Sequence, residues 1–336
     1  MKSTCYLLIL LVSVQLSSCK KKESTIVVAN NLQDVRLTDT IPNEDNIEDE
    51  IRIKYGDLII YPLNSYEKVT NKSTGFIPLT DIFPWSEHKD SIAIADEYLG
   101  NNEIGEFHTL SEKYRTRFFK LMKIKETDKV FIYNYRLDSI YTFQVKELPL
   151  LAHISLYGAE APIHPDDYLI GFDLENKLSI KDMGVYYDAL VYVGSENPFN
   201  QGKIKPIIWK KIPTNQFPKE VKSEKIDATK ISKLYKFQIN NLDYYLLNDN
   251  HLVIVESANK KIILEEIFVE GESASSAPLS FDDVVNESLP EQWTGDLFKN
   301  KPPVFFGFLY QSFGCSAINF IEKPYNSIYL HCDNRH

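Results

Sequence analysis

Short runs of β-branched and aromatic residues recur along most of this chain, each closed by Asp, Asn, Gly or Pro. They lie at 51–54, 58–61, 130–133, 140–145, 151–156, 168–172, 189–193 and 204–209. Side chains of this kind suit a pleated, half-buried surface, and the residues between them suit turns. A tighter series follows at 235–239, 244–247, 251–255 and 262–268, joined by Asn248-Asp249-Asn250 and Ala258-Asn259-Lys260. Strands so closely spaced, with Asn at their joints, predict an antiparallel meander.

One segment has the other period. Leu110, Tyr114, Phe118, Leu121 and Met122 repeat at three- and four-residue spacing, which predicts a helix over about 109–124 with one face on a sheet. Thr109 and Glu112 match a capping box. The fold class expected is therefore α+β, mainly antiparallel β. Pro213, Pro218 and the charged stretch 219–230 read as a boundary. That divides the body into a β-rich α+β domain, 51–221, and an antiparallel β domain, 222–336. In the second, 271–278 reads as a Ser-rich loop, 281–289 as a short helix, and 304–332 as a final hairpin. At 336 residues and 43% hydrophobic, the chain has ample material for such cores.

The first residues carry a different message. Lys2 precedes an apolar run over 6–16, which ends in Leu16-Ser17-Ser18-Cys19. A bilayer span needs about 20 apolar residues, so this run is too short to be one. The segment resembles a bacterial lipoprotein signal peptide, with Leu16-Ser17-Ser18-Cys19 standing at the lipobox. The resemblance implies removal of 1–18 and lipidation of Cys19 on its sulfur, with its new amine open to a further acyl chain. Lys20 after the cysteine resembles the outer-membrane class under the enterobacterial sorting rule. The address expected is the cell envelope, lipid-anchored, at the outer membrane more than the inner, with the face left open.

Residues 19–50 are polar and aperiodic, and Glu44, Asp45, Glu48, Asp49 and Glu50 crowd one short stretch. Like charges so packed stay solvated, and roughly thirty flexible residues reach about 30 Å, which predicts a tether. The same acidic run lacks the glycine a calcium-binding EF-hand loop requires. Net charge is −10, and Lys20-Lys21-Lys22 beside the anchor is the sole basic cluster. That balance argues against a nucleic-acid partner. The three lysines fit anionic headgroups or a solubilising spacer equally well.

Cys315 and Cys332 are the thiols left beyond Cys19 and the leader. Folding the last hairpin around the loop 322–325 sets them directly opposite each other, within reach of a disulfide. Export beyond the cytoplasm would supply the oxidising compartment. A redox or metal pair is disfavoured, since there is no CxxC and no neighbouring paired histidine.

Chemistry is harder to find. The densest group of titratable residues is Glu160, His164, Asp166 and Asp167, with His153 before it. Pro165 bends that loop, so these residues are either a site on a loop rim or a solvated turn. Ser-x-x-Lys occurs at Ser65, Ser86 and Ser257, which shows how cheaply the pattern arises; Ser257-Lys260 falls in a hairpin turn. There is no G-x-S-x-G, phosphate-cradling loop, dinucleotide fingerprint or metal-ligand pair of histidines, and no cofactor or metal is expected. Phe306, Phe308 and Tyr310 alternate toward one face, which makes them candidate binding residues or core. The function expected is a lipid-anchored envelope module that binds another envelope protein, an incoming toxin or a polymer, with immunity-type lipoproteins as an analogy. The alternative is an anchored hydrolase built on the loop 160–167.

Overall fold

The computed structural model describes residues 58–67, 73–81, 107–110, 112–154, 168–174, 177–178, 188–281, 290–322 and 327–332. The leader, the tether and the loop 155–167 lie outside these residues, as does 282–289 of the expected short helix. Two sheets and a helix build the first core. In chain order these elements are β1 (Tyr61–Pro62), β2 (Asn64–Glu67), β3 (Ser73–Asp81), β4 (Phe107–Thr109), α1 (Glu112–Met122), β5 (Lys129–Asn134), β6 (Ser139–Gln144), β7 (Leu150–Ile154), β8 (Tyr168–Asp173) and β9 (Ala189–Gly194). One sheet runs β1-β9-β5-β6 and the other β2-β3-β8-β7-β4, every neighbour antiparallel. Period-2 alternation sends Leu150, Ala152, Ile170 and Phe172 to the face covered by Phe118 and Phe119 of α1. Leu151 and Leu169 go to the opposite face, with Phe76.

The helix starts later than its spacing implied. Thr109 closes β4, paired with Leu151, so Glu112 is the first helical residue. Phe118 is buried on the stripe, while Tyr114, Leu121 and Met122 pack at its margin. Arg115 is the addition. Its guanidinium grips Glu126 at 2.7 and 2.8 Å, donates to the carbonyls of Leu148 and Val145 at 2.7 and 2.8 Å, and lies 4.4 Å from the Phe119 ring centre. Burying that charge is tolerable because its donors are so fully used.

The rest of the chain adds β10 (Ile204–Pro206), β11 (Lys210–Lys211), β12 (Leu234–Ile239), β13 (Leu242–Leu247), β14 (His251–Glu256), β15 (Ile262–Ile267), β16 (Ala274–Ser276), β17 (Trp293–Gly295), β18 (Val304–Phe306), β19 (Leu309–Gln311), β20 (Ala317–Phe320) and β21 (Ile328–Tyr329). The meander is β11-β12-β13-β14-β15, turned at Asn248 and Asp249 with positive φ. Both of its faces are buried. Tyr244, Leu246, Leu252 and Ile254 meet Trp209, Phe305 and Phe308. On the other side Tyr245, Leu247, Val253 and Val255 meet Phe217 and Val221. The charged stretch 219–230 is thus part of a strap across the sheet's outer face.

Pairing also crosses residue 222. β10 joins β17 in the sheet β10-β17-β18-β20-β21, β11 joins β12, and Ile60 bridges Leu330. One core combines Ile60, Phe131, Tyr133 and Leu190 with Trp293, Leu297, Phe298 and Phe320. The expected junction near 222 accordingly falls inside a single compact unit, Asn43–His336.

The final hairpin holds a disulfide between Cys315 and Cys332, with Cα atoms 5.7 Å apart. Its register is one residue from the expected one: Ala317 pairs with Tyr329 and Ile318 with Ile328. The cysteines lie beyond the ends of this short ladder, where Gly314 takes φ +89° and Cys332 N–H donates back to Leu330 O at 2.9 Å. Irregular backbone, rather than direct opposition, brings the sulfurs together.

Candidate functional site

The outer edge of the meander offers a recess. β11 contributes two pairs, Lys210↔Lys236 and Lys211↔Tyr235, and then stops. Past Lys236, residues 237–239 keep β13 on one side and have no strand on the other among the described residues. Ile212 N–H donates to Leu234 O at 3.0 Å, so even-numbered residues of β12 aim their backbone groups at the β11 side. Gln238 therefore presents an N–H and a C=O along an open edge. An open cleft of about 260 Å³ runs there, lined by Ile208, Lys210, Lys236, Phe237 and Gln238.

Its electrostatics are unusual. Like charges set directly opposite across antiparallel strands repel, yet Lys210 and Lys236 occupy such positions. Behind them is buried Asp243, whose carboxylate accepts from Lys260 Nζ at 2.6 Å and Ser257 Oγ at 3.0 Å and lies 3.4 Å from Lys236 Nζ. Burial opposes ionisation of Asp243, but the bonds from Lys260 and Ser257 and the charges of Lys236 and Lys260 outweigh it and hold its pKa below the usual carboxylate range. One carboxylate thus faces two ammonium groups. Lys236 also lies 5.6 Å from the Tyr245 ring centre, while exposed Lys210 has no ion-pair partner among the described residues. The cleft carries surplus positive charge on an acidic protein.

The Ser257-Lys260 pair has a structural use here. Lys260, at φ +60°, ties the hairpin turn to Asp243 and to Ser257 O at 2.8 Å. Ser257 donates to a carboxylate, which lends its hydroxyl no nucleophilic activation of the kind a histidine base supplies. A second polar trio has the same defect. Glu265 sits between Ser223, at 2.6 Å, and His251, at 2.8 Å, whereas acyl transfer of the triad type needs the histidine in the middle. This trio fastens the strap to β14 and β15.

Those of the residues singled out from sequence that are described sit in separate surroundings. His153 lies on β7 with its ring 5.5 Å from Phe76, and burial pushes its pKa down to about 4. His164, Asp166, Asp167 and Cys19 lie outside the described residues. Phe306 is buried and meets the ring of Tyr135 edge-on at 5.2 Å, which in turn meets Trp293 at 5.0 Å. Phe308 is buried on the other side, stacked on Phe268 at 4.7 Å. Tyr310 is 46% exposed, and burial with a hydrogen bond to Glu291 raises its pKa. The alternation expected for these three fails at Gly307, which takes φ +81°. A Cβ there would meet Glu291 O at 2.0 Å, so the kink needs glycine. Sequence reasoning missed the lysine cleft because Lys210 and Lys236 become neighbours only through strand register.

Comparison of the chain with protein-family models, curated proteins and solved structures gave no match. No described helix is long and apolar enough to cross a membrane. Among the described residues no group of three or more His, Cys, Asp or Glu is placed to hold a metal ion.

Proposed function

We propose that this chain is a lipid-anchored binding module of the cell envelope, and that it takes an extended, acidic peptide segment of a partner protein along the open edge of β12. The observation that carries the reading is Lys210 opposite Lys236 at the end of the β11 ladder, beyond which the backbone of Gln238 has no strand partner on that side among the described residues. Strand addition draws affinity from main-chain hydrogen bonds and specificity from side chains beside the edge. Two lysines supply the second part, favouring carboxylates, and Phe237 with Ile208 supplies apolar contact. Edge lysines also discourage unwanted sheet pairing, a role compatible with selecting an acidic strand over others.

The anchor belongs to the same reading. Acylation at Cys19, as the lipobox resemblance implies, would hold the body at a membrane, since two or more chains make a durable attachment. The test uses the mature protein and a fluorescent eight-residue peptide alternating Glu and Val. Saturable binding that weakens about tenfold in Lys210→Glu, and again with N-methylation of alternate peptide amides, is the expected result, each loss being that of a charge-assisted contact or a ladder bond. Binding indifferent to both changes would dismiss the edge. The membrane-extracted protein should also show an acyl mass increment at Cys19, and an unmodified mass would remove the anchor alone.

A further inference from the structure

The chain enters its described body through Ile60, which is fully buried yet weakly held by its own strand. β1 offers two pairs, Tyr61↔Val191 and Pro62↔Leu190, and proline has no N–H to give. Beyond its core packing, a further hold comes from the far end of the chain. Ile60 forms a parallel bridge with Leu330, His331 N–H donates to Ile60 O at 2.7 Å, and the His331 and Tyr61 rings meet edge-on at 5.4 Å. The C-terminal hook rests on a short ladder as well. β21 makes two pairs with β20, followed by Leu330 N–H to Ser316 O at 2.9 Å. The Cys315–Cys332 bond closes the arrangement one residue past His331.

We propose that this disulfide is a lock on the incoming chain: it holds residues 330–332 against Ile60, so the segments 58–62 and 327–332 are ordered and released together. The coupling path is short and covalent at one end, from Cys315 through Cys332 and His331 to Ile60. The meander has its own ladders, built from β11 to β15. The inference stands apart from the peptide-binding edge and does not require Cys19 to be acylated. With an anchor present, the locked residues are the first of the described ones on the tether side.

The test is hydrogen exchange followed by mass spectrometry on the full mature chain, comparing wild type with the Cys315→Ala/Cys332→Ala double variant. Peptides covering 58–63 and 327–332 should both exchange at least tenfold faster in the variant, while those covering 234–267 keep their protection. Faster exchange at 327–332 with 58–63 unchanged would overturn the proposal, because the bond would then be a local staple. Uniform loss across the chain would overturn it too, as the signature of a general stabiliser. Should the variant fail to fold, folded wild type treated with a water-soluble phosphine gives the same reading. The phosphine takes oxygen from water and leaves two thiols, and it must expose both peptides together or the lock is refuted.

Discussion

His153 sits on β7 between Phe107 of β4 and Leu169 of β8 in register, with Phe76 against its ring. Burial depresses its pKa from 6.5 to about 4, so the folded chain declines a proton that the unfolded chain accepts over that interval. The sign follows: the contribution is complete above about pH 6.5 and is lost as pH falls toward 4. Between pH 7 and 4.5 this amounts to about 2 kcal/mol. Urea unfolding of wild type and His153→Leu at those two pH values should show the variant losing less stability by that amount. Equal losses would mean the ring is hydrated and titrates normally. Gly307 makes a different point at the same scale. Its presence between Phe306 and Phe308 is plain in the sequence, but its φ of +81° is not, and that angle sends Phe308 to join Phe305 while Phe306 goes to Tyr135. A strand pattern read through a glycine is thus least secure where the glycine serves as a kink.

Among the elements, those fixed by local chemistry were legible. Strands β12 to β15 of the meander lie within a residue or two of their apolar runs, and Asn248 and Asp249 turn the chain where expected, because they tolerate positive φ. Helix α1 was legible by its stripe, though not Arg115, since an arginine in a helix ordinarily marks a solvated face. The strap was misleading for a related reason. Phe217 and Val221 are two apolar residues in a run dominated by charge, yet they cover Tyr245, Leu247 and Val253. Lys210 and Lys236 fall in the same class. Their opposition arises from the pairing of β11 with β12, and nothing in either local sequence announces it. The disulfide shows the converse, a contact foreseen through a register that the hairpin does not adopt. Proximity in a short hairpin survived the slip because the cysteines lie outside the ladder.

Across the whole molecule, the decisive contacts are those that join early and late parts of the chain, which composition and periodicity do not encode. They predict how the protein responds to division. Cutting at residue 222 would strip β10 of β17, β11 of β12 and Ile60 of Leu330. It would also expose the faces of Ile60, Phe131, Tyr133, Leu190 and Phe199 that pack on Trp293, Phe298 and their neighbours. At roughly 2 kcal/mol for each such side chain, the loss is on the order of 10 kcal/mol. Domains are stable by about 5–15 kcal/mol in total, so neither piece retains a comfortable margin. Expressed separately, fragments 51–221 and 222–336 should lack the sharp, probe-independent urea transition expected of the intact body, and mixing them should restore part of it. If fragment 51–221 alone unfolded cooperatively at the intact protein's midpoint, the shared core would be a contact between two self-sufficient halves. The cross-chain pairs would then contribute orientation and little stability.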